Sequence, residues 1–371
     1  MTAHRLERVP AIIYRESHTA IRTNVLASPL QAYKYENNRR YHAYREGSYW
    51  GPNDEQDAYH QKVAHHLFTL VLQDRLYFAP VAQPHHVLDI GTGIGLWASN
   101  VSDAHPQAQI LGTDLSPLWH PDFTIRPNLT FEVDDCCSNW TYLDEGRELF
   151  DLVHIRCLYG SVKDWRKLYQ QAFEHLEPGK GWIEQVEVSL VPRFLYTRGD
   201  AVGSDFCHKE GKGWDSTAAD HDSNSIFVTW YRFWQECSKR TGKTWFVADQ
   251  MASLIYEAGF EDVRQERYML PLFDSSEGIA PTATTTSSIC GEYSDYPVTR
   301  LAEIARWFRQ FWETGMEGWI LAVSTRYMGW TANEAKEFVA KTNQVLAEQS
   351  SRVYYELVVV YGQRPLLEGV S

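Results

Sequence analysis

The stretch VLDIGTGIGLWA, residues 87–98, decides the fold. A short apolar run, HHVLDI at 85–90, leads into Gly91, Gly93 and Gly95 and then into a helical stretch, LWASNVSDAH, that Pro106 breaks. Glycines at a strand-to-helix turn let the chain turn tightly and let a ligand approach bare backbone at a helix N-terminus. The third glycine of a dinucleotide fingerprint would fall at Leu96, and no Gly-Lys-Ser/Thr follows, so that fingerprint and the P-loop are both excluded. Asp89, just before the glycines, is awkward for a pyrophosphate and suits a cationic amine.

Working outward, QILGTDLS (109–116) reads as a second strand ending at Asp114, 21 residues after Gly93. A carboxylate there can accept hydrogen bonds from two ribose hydroxyls, and Leu115 follows it along the same ligand. NLTFEVDD (128–135) alternates like a third strand and ends at Asp134–Asp135–Cys136. An acid at that end can accept from an adenine amino group while the next backbone N–H serves a ring nitrogen. ELFDLVHIR (148–156) is a fourth strand, DWRKLYQQAFEHL (164–176) a helix, and WIEQVEVSLV (182–191) a fifth strand. Strands alternating with helices predict an α/β fold with a parallel, doubly wound sheet over 85–192. Three ligand groups at three successive strand ends point to one adenosine-containing ligand.

The flanks differ. Residues 1–40 show little periodicity and read as an irregular arm; 54–78 reads as a helix, with Asn53 or Asp54 as N-cap and Pro80 and Pro84 ending it. Residues 193–222 read as a polar loop, 223–240 as an aromatic helix, 251–260 as a helix closed by Gly259, and EDVRQERYML as a strand. PTATTTSS (281–288) is a low-complexity loop, helices follow at 298–323 and 331–349, and YYELVVVYGQRP (354–365) is a last strand. The expected organisation is an arm and helix over the cofactor (1–84), the core (85–192), a lid insertion (193–250), a core helix and strand (251–270), a helical lid (271–350), and a final core strand and tail (351–371). A lid so placed would cover the carboxyl edge of the sheet, where open α/β folds bind ligands.

Composition narrows the function. Apolar residues make up 44% of the 371, and the net charge of −13 disfavours nucleic acid as a partner. No apolar run approaches the roughly 18 residues of a membrane span. The first residues carry a three-residue apolar core, Ala11–Ile13, where a signal peptide needs about 7–15, so a cytoplasmic or nuclear location is expected. The six cysteines form no CxxC pair, and His60, His65 and His66 lack ligand spacing along their helix, so no metal site is expected. Fourteen Trp, 21 Tyr and 16 Phe make an aromatic-walled site plausible beside an aromatic core.

Asp89-x-Gly91-x-Gly93-x-Gly95 is the pattern of class I S-adenosylmethionine methyltransferases. The chain further resembles the fungal LaeA-like, UMTA-type methyltransferases through YHAYREGSYWGPNDEQD (41–57), VLDIGTGIGLWA (87–98), GTDLSP (112–117), FEVDDCCSNW (131–140), FDLVHIRCLYGSVKDW (150–165), LEPGKGWIEQVE (176–187), EAGFEDV (257–263) and VVVYGQRP (358–365). The resemblance implies a Rossmann-like sheet, mostly parallel with its last strand antiparallel, under a helical, aromatic-rich lid. It implies that the glycine loop, Asp114 and Asp135 handle S-adenosylmethionine, and that the Tyr44–Asp54 arm, with Tyr49, folds over it. Two departures fall where acceptor recognition is expected: Ala58-Tyr59-His60 replaces a stretch that usually carries an Arg, and 271–300 lacks the usual Trp-Pro segment.

Methyl transfer is an in-line displacement that needs positioning and, for a hydroxyl or amine acceptor, removal of a proton. His154 and Glu184 are the candidate catalytic residues, although His154 lies inside an apolar strand and also fits a core histidine, and Glu184 also fits a supporting role. Arg156, Tyr159, Trp230 and Trp234 are the candidate acceptor contacts; Arg156 could equally pair a structural acid, and the helical spacing of the tryptophans also suits core packing. The expected activity is methyl transfer to O or N of a small, largely apolar metabolite. A LaeA-like nuclear regulator acting through protein partners, and a non-methylating reaction such as a cyclisation, are the alternatives.

Overall fold

A computed structural model describes residues 33–117, 126–194, 225–273, 298–348 and 353–366, and the backbone of two strands before them. The segment expected as an irregular arm instead carries four short strands: β1 (Ile12–Glu16), β2 (Thr19–Thr23), β3 (Lys34–Glu36) and β4 (Arg39–Tyr41). β3 and β4 form a hairpin across Asn37 and Asn38, both left-handed at φ 50° and 64°, as a two-residue turn between twisted strands requires. Helix α1 (Glu55–Val71) follows, capped by Asp54, whose side chain accepts from Asp57 N. It stops earlier than the prolines, because Gln73 and Asp74 both turn left-handed.

The core then alternates as expected: β5 (His86–Ile90), α2 (Leu96–Ala104), β6 (Gln109–Asp114), β7 (Leu129–Val133), β8 (Leu152–Arg156), α3 (Trp165–His175) and β9 (Trp182–Phe194). Beyond it come α4 (Ile226–Thr241), α5 (Met251–Glu257), β10 (Glu261–Pro271), α6 (Val298–Val323), α7 (Ala332–Glu348) and β11 (Val353–Gln363). The expected loops at 193–222 and 281–288 lie almost wholly outside the described residues.

One nine-stranded sheet runs β10-β11-β9-β8-β5-β6-β7-β1-β2. Strands β5 to β9 are parallel, and β11 is antiparallel to both β9 and β10. The order reverses at β5, so a crevice opens at its carboxyl end, directly at the glycine turn. Val87, Leu88, Val153, Ile155 and Ile183 are buried at the centre of the sheet. Around α4, α6 and α7 the core is aromatic: Trp234 stacks on Trp245 at 4.3 Å, and Trp230 Nε1 donates to Thr342 Oγ1 at 2.9 Å, which ties α4 to α7. No helix among the described residues is long and apolar enough to cross a membrane.

Candidate active site

At the carboxyl ends of β5, β6, β7 and β8 lies a cavity of about 380 Å³. Its walls include Tyr49, Gly91, Gly93, Asp114, Leu115, Asp134, Asp135, Cys136, Arg156 and Tyr159. Ten of the residues singled out in sequence are thereby brought together at one place.

The glycine turn is held by side chains from outside it. Gly93 N donates to Asp114 Oδ2 at 2.9 Å, and Ser116 N donates to Oδ1 at 3.0 Å. Ile94 N donates to Gln61 Oε1 at 3.0 Å, and Gln61 Nε2 donates to Asp57 Oδ2 at 2.7 Å. Gly93 has φ +58°, which favours glycine, and a Cβ there would stand 2.2 Å from Gln61 Oε1 and push that side chain off Ile94 N. Helix α1 thus presents Asp57, His60, Gln61, Ala64 and Phe68 to the cavity. The helix start is itself clamped, since Arg39 of β4 makes a two-point pair with Asp54 at 2.5 and 2.9 Å. The arm is latched by Asn53 Nδ2 donating to Ser116 Oγ at 2.8 Å and Trp50 Nε1 donating to the Tyr159 carbonyl at 3.1 Å.

Two carboxyls in the wall are held far from their ordinary state. Burial pushes Asp114 up to about 6 against the pull of its two backbone donors, and pushes Asp57 up to about 7 against Gln61 and Arg39. At β7, Asp134 accepts from Tyr142 OH at 3.0 Å, and Asp135 accepts from Cys137 N at 3.0 Å. Asp135, Cys136 and Cys137 also bring ligand atoms within 4.8 Å of one another, but they are three consecutive residues with the Asp135 oxygens already engaged by Cys137 N and Ser138 Oγ.

This donor and acceptor set fits S-adenosylmethionine. A glycine turn at the end of β5, a partly buried carboxyl at the end of neighbouring β6 and acids at the end of β7 match its aminoacyl chain, its hydroxyls and its base. A family model described as a methyltransferase domain matches residues 63–265, more than half of the chain. The chain belongs to the methyltransferase-domain family. Methyltransferase pytC of Aspergillus terreus is 31% identical over 349 residues, covering 92% of this chain and 90% of that protein. The secondary metabolism regulator LAE1 of Cochliobolus heterostrophus is 29% identical over 351 residues, covering 92% and 99%. The protein-methionine methyltransferase laeA of Emericella nidulans is 26% identical over 383 residues, covering 97% and 87%. The chain is a fungal-type, LaeA-like methyltransferase dependent on S-adenosylmethionine.

Five expected site residues of this methyltransferase do not reach the cavity. Asp89 is buried, with one oxygen accepting from Thr92 Oγ1 at 2.6 Å and the other facing His154 Nδ1 at 2.8 Å, so it braces the turn and faces no ligand. His154 is 1% exposed and stacks on Trp97 at 3.6 Å with 4° between the rings. Burial lowers its pKa more than Asp89 raises it, so the contact is a hydrogen bond to a neutral ring and the residue is a core histidine. Glu184 accepts from Phe78 N at 2.6 Å and Ala79 N at 2.7 Å, and burial pushes it up to about 7; it holds the segment after α1. Trp230 and Trp234 line a much smaller crevice beside the main cavity, among Trp312, Phe308 and Tyr355.

The aromatic wall comes instead from Phe68 of α1 and from Phe311 and Trp319 of α6. Sequence reading met His60 only as part of a departure in the acceptor region and as a rejected metal ligand, and passed over Asp57, Gln61 and Phe68, although their spacing along one helix directly after the Tyr44–Asp54 arm was the signal. Thr314 Oγ1 donates its hydrogen to the Gln310 carbonyl at 2.8 Å, so at 3.0 Å it accepts from His60 Nδ1–H. With Nδ1–H directed at Thr314, the lone pair of His60 sits on Nε2, at the cavity wall.

Proposed function

We propose that this methyltransferase acts on a small, largely apolar acceptor held in the aromatic part of the cavity. The observation that carries this is that one cavity joins the glycine turn and Asp114 to a wall of Phe68, Phe311, Trp319 and His60. In this reading Asp114 accepts from the ribose hydroxyls, Asp134, Asp135 and Cys136 meet the adenine edge, and Gly91 and Gly93 leave room for the aminoacyl chain. S-adenosylmethionine, when bound, supplies an electrophilic methyl group.

The chain's own residues supply position and dryness. Tyr49 and Trp50 of the latched arm exclude water from the donor's end, while the rings of Phe68, Phe311 and Trp319 clamp an apolar acceptor. Burial pushes His60 down to about 3 and keeps it neutral. Its Nε2 then accepts from an acceptor O–H or N–H and orients the atom that is to be methylated.

The test uses methyl-labelled S-adenosylmethionine with a low-molecular-weight extract of fungal mycelium and, separately, with its protein fraction. Label in the small-molecule fraction, lost in Trp319→Ala while S-adenosylhomocysteine affinity stays within threefold, supports the reading. Label confined to protein overturns it.

A further inference from the structure

Arg156 ends β8 beside the glycine turn and lines the cavity. Its guanidinium lies over the face of Phe68 at 5.4 Å, and Nη2 contacts His65 Nδ1 at 3.2 Å. Arginine only donates, so His65 Nδ1 carries a lone pair there, and the histidine is neutral because burial and the Arg156 charge both push it down, to about 3. The other ring nitrogen, Nε2, lies 2.9 Å from Asn100 Nδ2. A neutral ring orients the guanidinium and leaves its charge unbalanced.

Most other enclosed guanidinium groups face a carboxylate. Arg39 pairs with Asp54, Arg147 with Glu132, and Arg193 and Arg267 with Glu356, while Arg364 instead donates to the backbone carbonyls of Glu174 and Leu176. Arg156 makes no such pair among the described residues. Asp89 acts on it from a distance, but both Asp89 oxygens are engaged by Thr92 and His154. A half-buried charge that faces a cavity without a carboxylate beside it is open to a ligand anion, and a planar fork of N–H donors matches a carboxylate two-to-two.

We propose that Arg156 is the carboxylate clamp of the cavity, holding a carboxylate brought in by a bound ligand. The inference rests on the methyltransferase reading, under which two ligands could bring that group: the aminoacyl end of the methyl donor, or a carboxylated acceptor. The shared chemistry is a carboxylate on an otherwise apolar or adenosine-bearing molecule, anchored beside Phe68.

The experiment is calorimetric titration of the wild type, Arg156→Gln and Arg156→Lys, with thermal melts to confirm folding. The probes are S-adenosylhomocysteine, its decarboxylated analogue that keeps the amine, and indole-3-acetate against indole-3-acetamide on the S-adenosylhomocysteine complex. If the donor supplies the group, Arg156→Gln weakens S-adenosylhomocysteine at least twentyfold and leaves the decarboxylated analogue within twofold. If the acceptor supplies it, S-adenosylhomocysteine is unchanged, and the wild type's preference for the acetate over the acetamide disappears in Arg156→Gln. In either case Arg156→Lys, which keeps the charge and loses the fork, falls between the two. Parallel changes for both adenosine ligands, together with no acetate preference in the wild type, overturn the clamp. A wild type that fails to bind S-adenosylhomocysteine overturns the proposed function, while the acetate and acetamide pair on the free protein still decides the role of Arg156.

Discussion

Asp114→Asn is the sharpest perturbation of the donor site. The carboxyl accepts from Gly93 N and Ser116 N, yet burial holds it at about 6, so the free protein binds a proton there more tightly than an ordinary aspartate does. Two ribose hydroxyls would favour the charged form, which makes the proton and the ligand competitors. The sign follows. Above pH 6 the carboxyl is already ionised and affinity is flat; below pH 6 affinity falls, approaching tenfold per pH unit. The amide cannot ionise, and its NH2 must face one of the two backbone donors. With charged hydrogen bonds worth about 1.5–3 kcal/mol each, a net loss of about 2–4 kcal/mol is expected, roughly 30- to 1,000-fold in affinity. Calorimetry with S-adenosylhomocysteine between pH 5 and 8 measures both effects. A wild-type affinity that does not change between pH 5 and 6.5, or a variant within threefold of the wild type at pH 7.5, would refute the assignment of Asp114.

Three further outcomes are expected. Gly93→Ala puts a methyl group where Gln61 Oε1 stands and forces φ +58° on alanine, so the melting temperature drops by a few degrees and S-adenosylhomocysteine affinity falls at least tenfold in calorimetry. Glu184→Gln keeps an oxygen for Phe78 N and Ala79 N and loses a carboxyl whose pKa is raised to about 7; because the folded wild type holds that proton more tightly than the unfolded chain, its stability falls as pH rises from about 4.5 to 7, and melts should show the variant gaining on it over that window with S-adenosylhomocysteine binding unchanged. Asp57→Asn removes a wall carboxylate next to the glycine turn, and competition titrations should show cationic S-adenosylmethionine losing about tenfold while the uncharged thioether of S-adenosylhomocysteine makes that ligand nearly indifferent.

The strands of the core were legible because each is a short apolar run bounded by Gly, Pro or Asp, and alternation with helices leaves a parallel sheet as the natural answer. One wall of the cavity followed from that, since Gly93, Asp114 and Asp135, each beside a strand end, line it together. The hairpin β3–β4 was not legible: Lys34–Glu36 and Arg39–Tyr41 are only three residues long, and the buried positions of the second are held by Arg39 as well as Tyr41. Trp230 and Trp319 show why the aromatic wall was missed. Both sit on aromatic helices, and spacing alone does not say which helix leans over the carboxyl edge. His65 and Arg156 stand 91 positions apart in the sequence, so their contact exists only after α1 has been folded across the end of β8.

The register of the sheet explains why Arg156 lines the cavity and the two expected catalytic residues do not. Asp89 is opposite His154, and His154 is opposite Glu184, so the three form a single row across β5, β8 and β9. That row lies inside the sheet, where Asp89 braces Thr92 of the turn, His154 braces Asp89, and Glu184 holds Phe78 and Ala79. Side chains on one face of a strand repeat every second residue, so the face that carries His154 reaches the carboxyl edge at Arg156. One row supports the turn and the next reaches the cavity wall. A sequence shows the ionisable groups of both rows equally well. The strand end, two residues further on, decides which of them can touch what binds in the crevice.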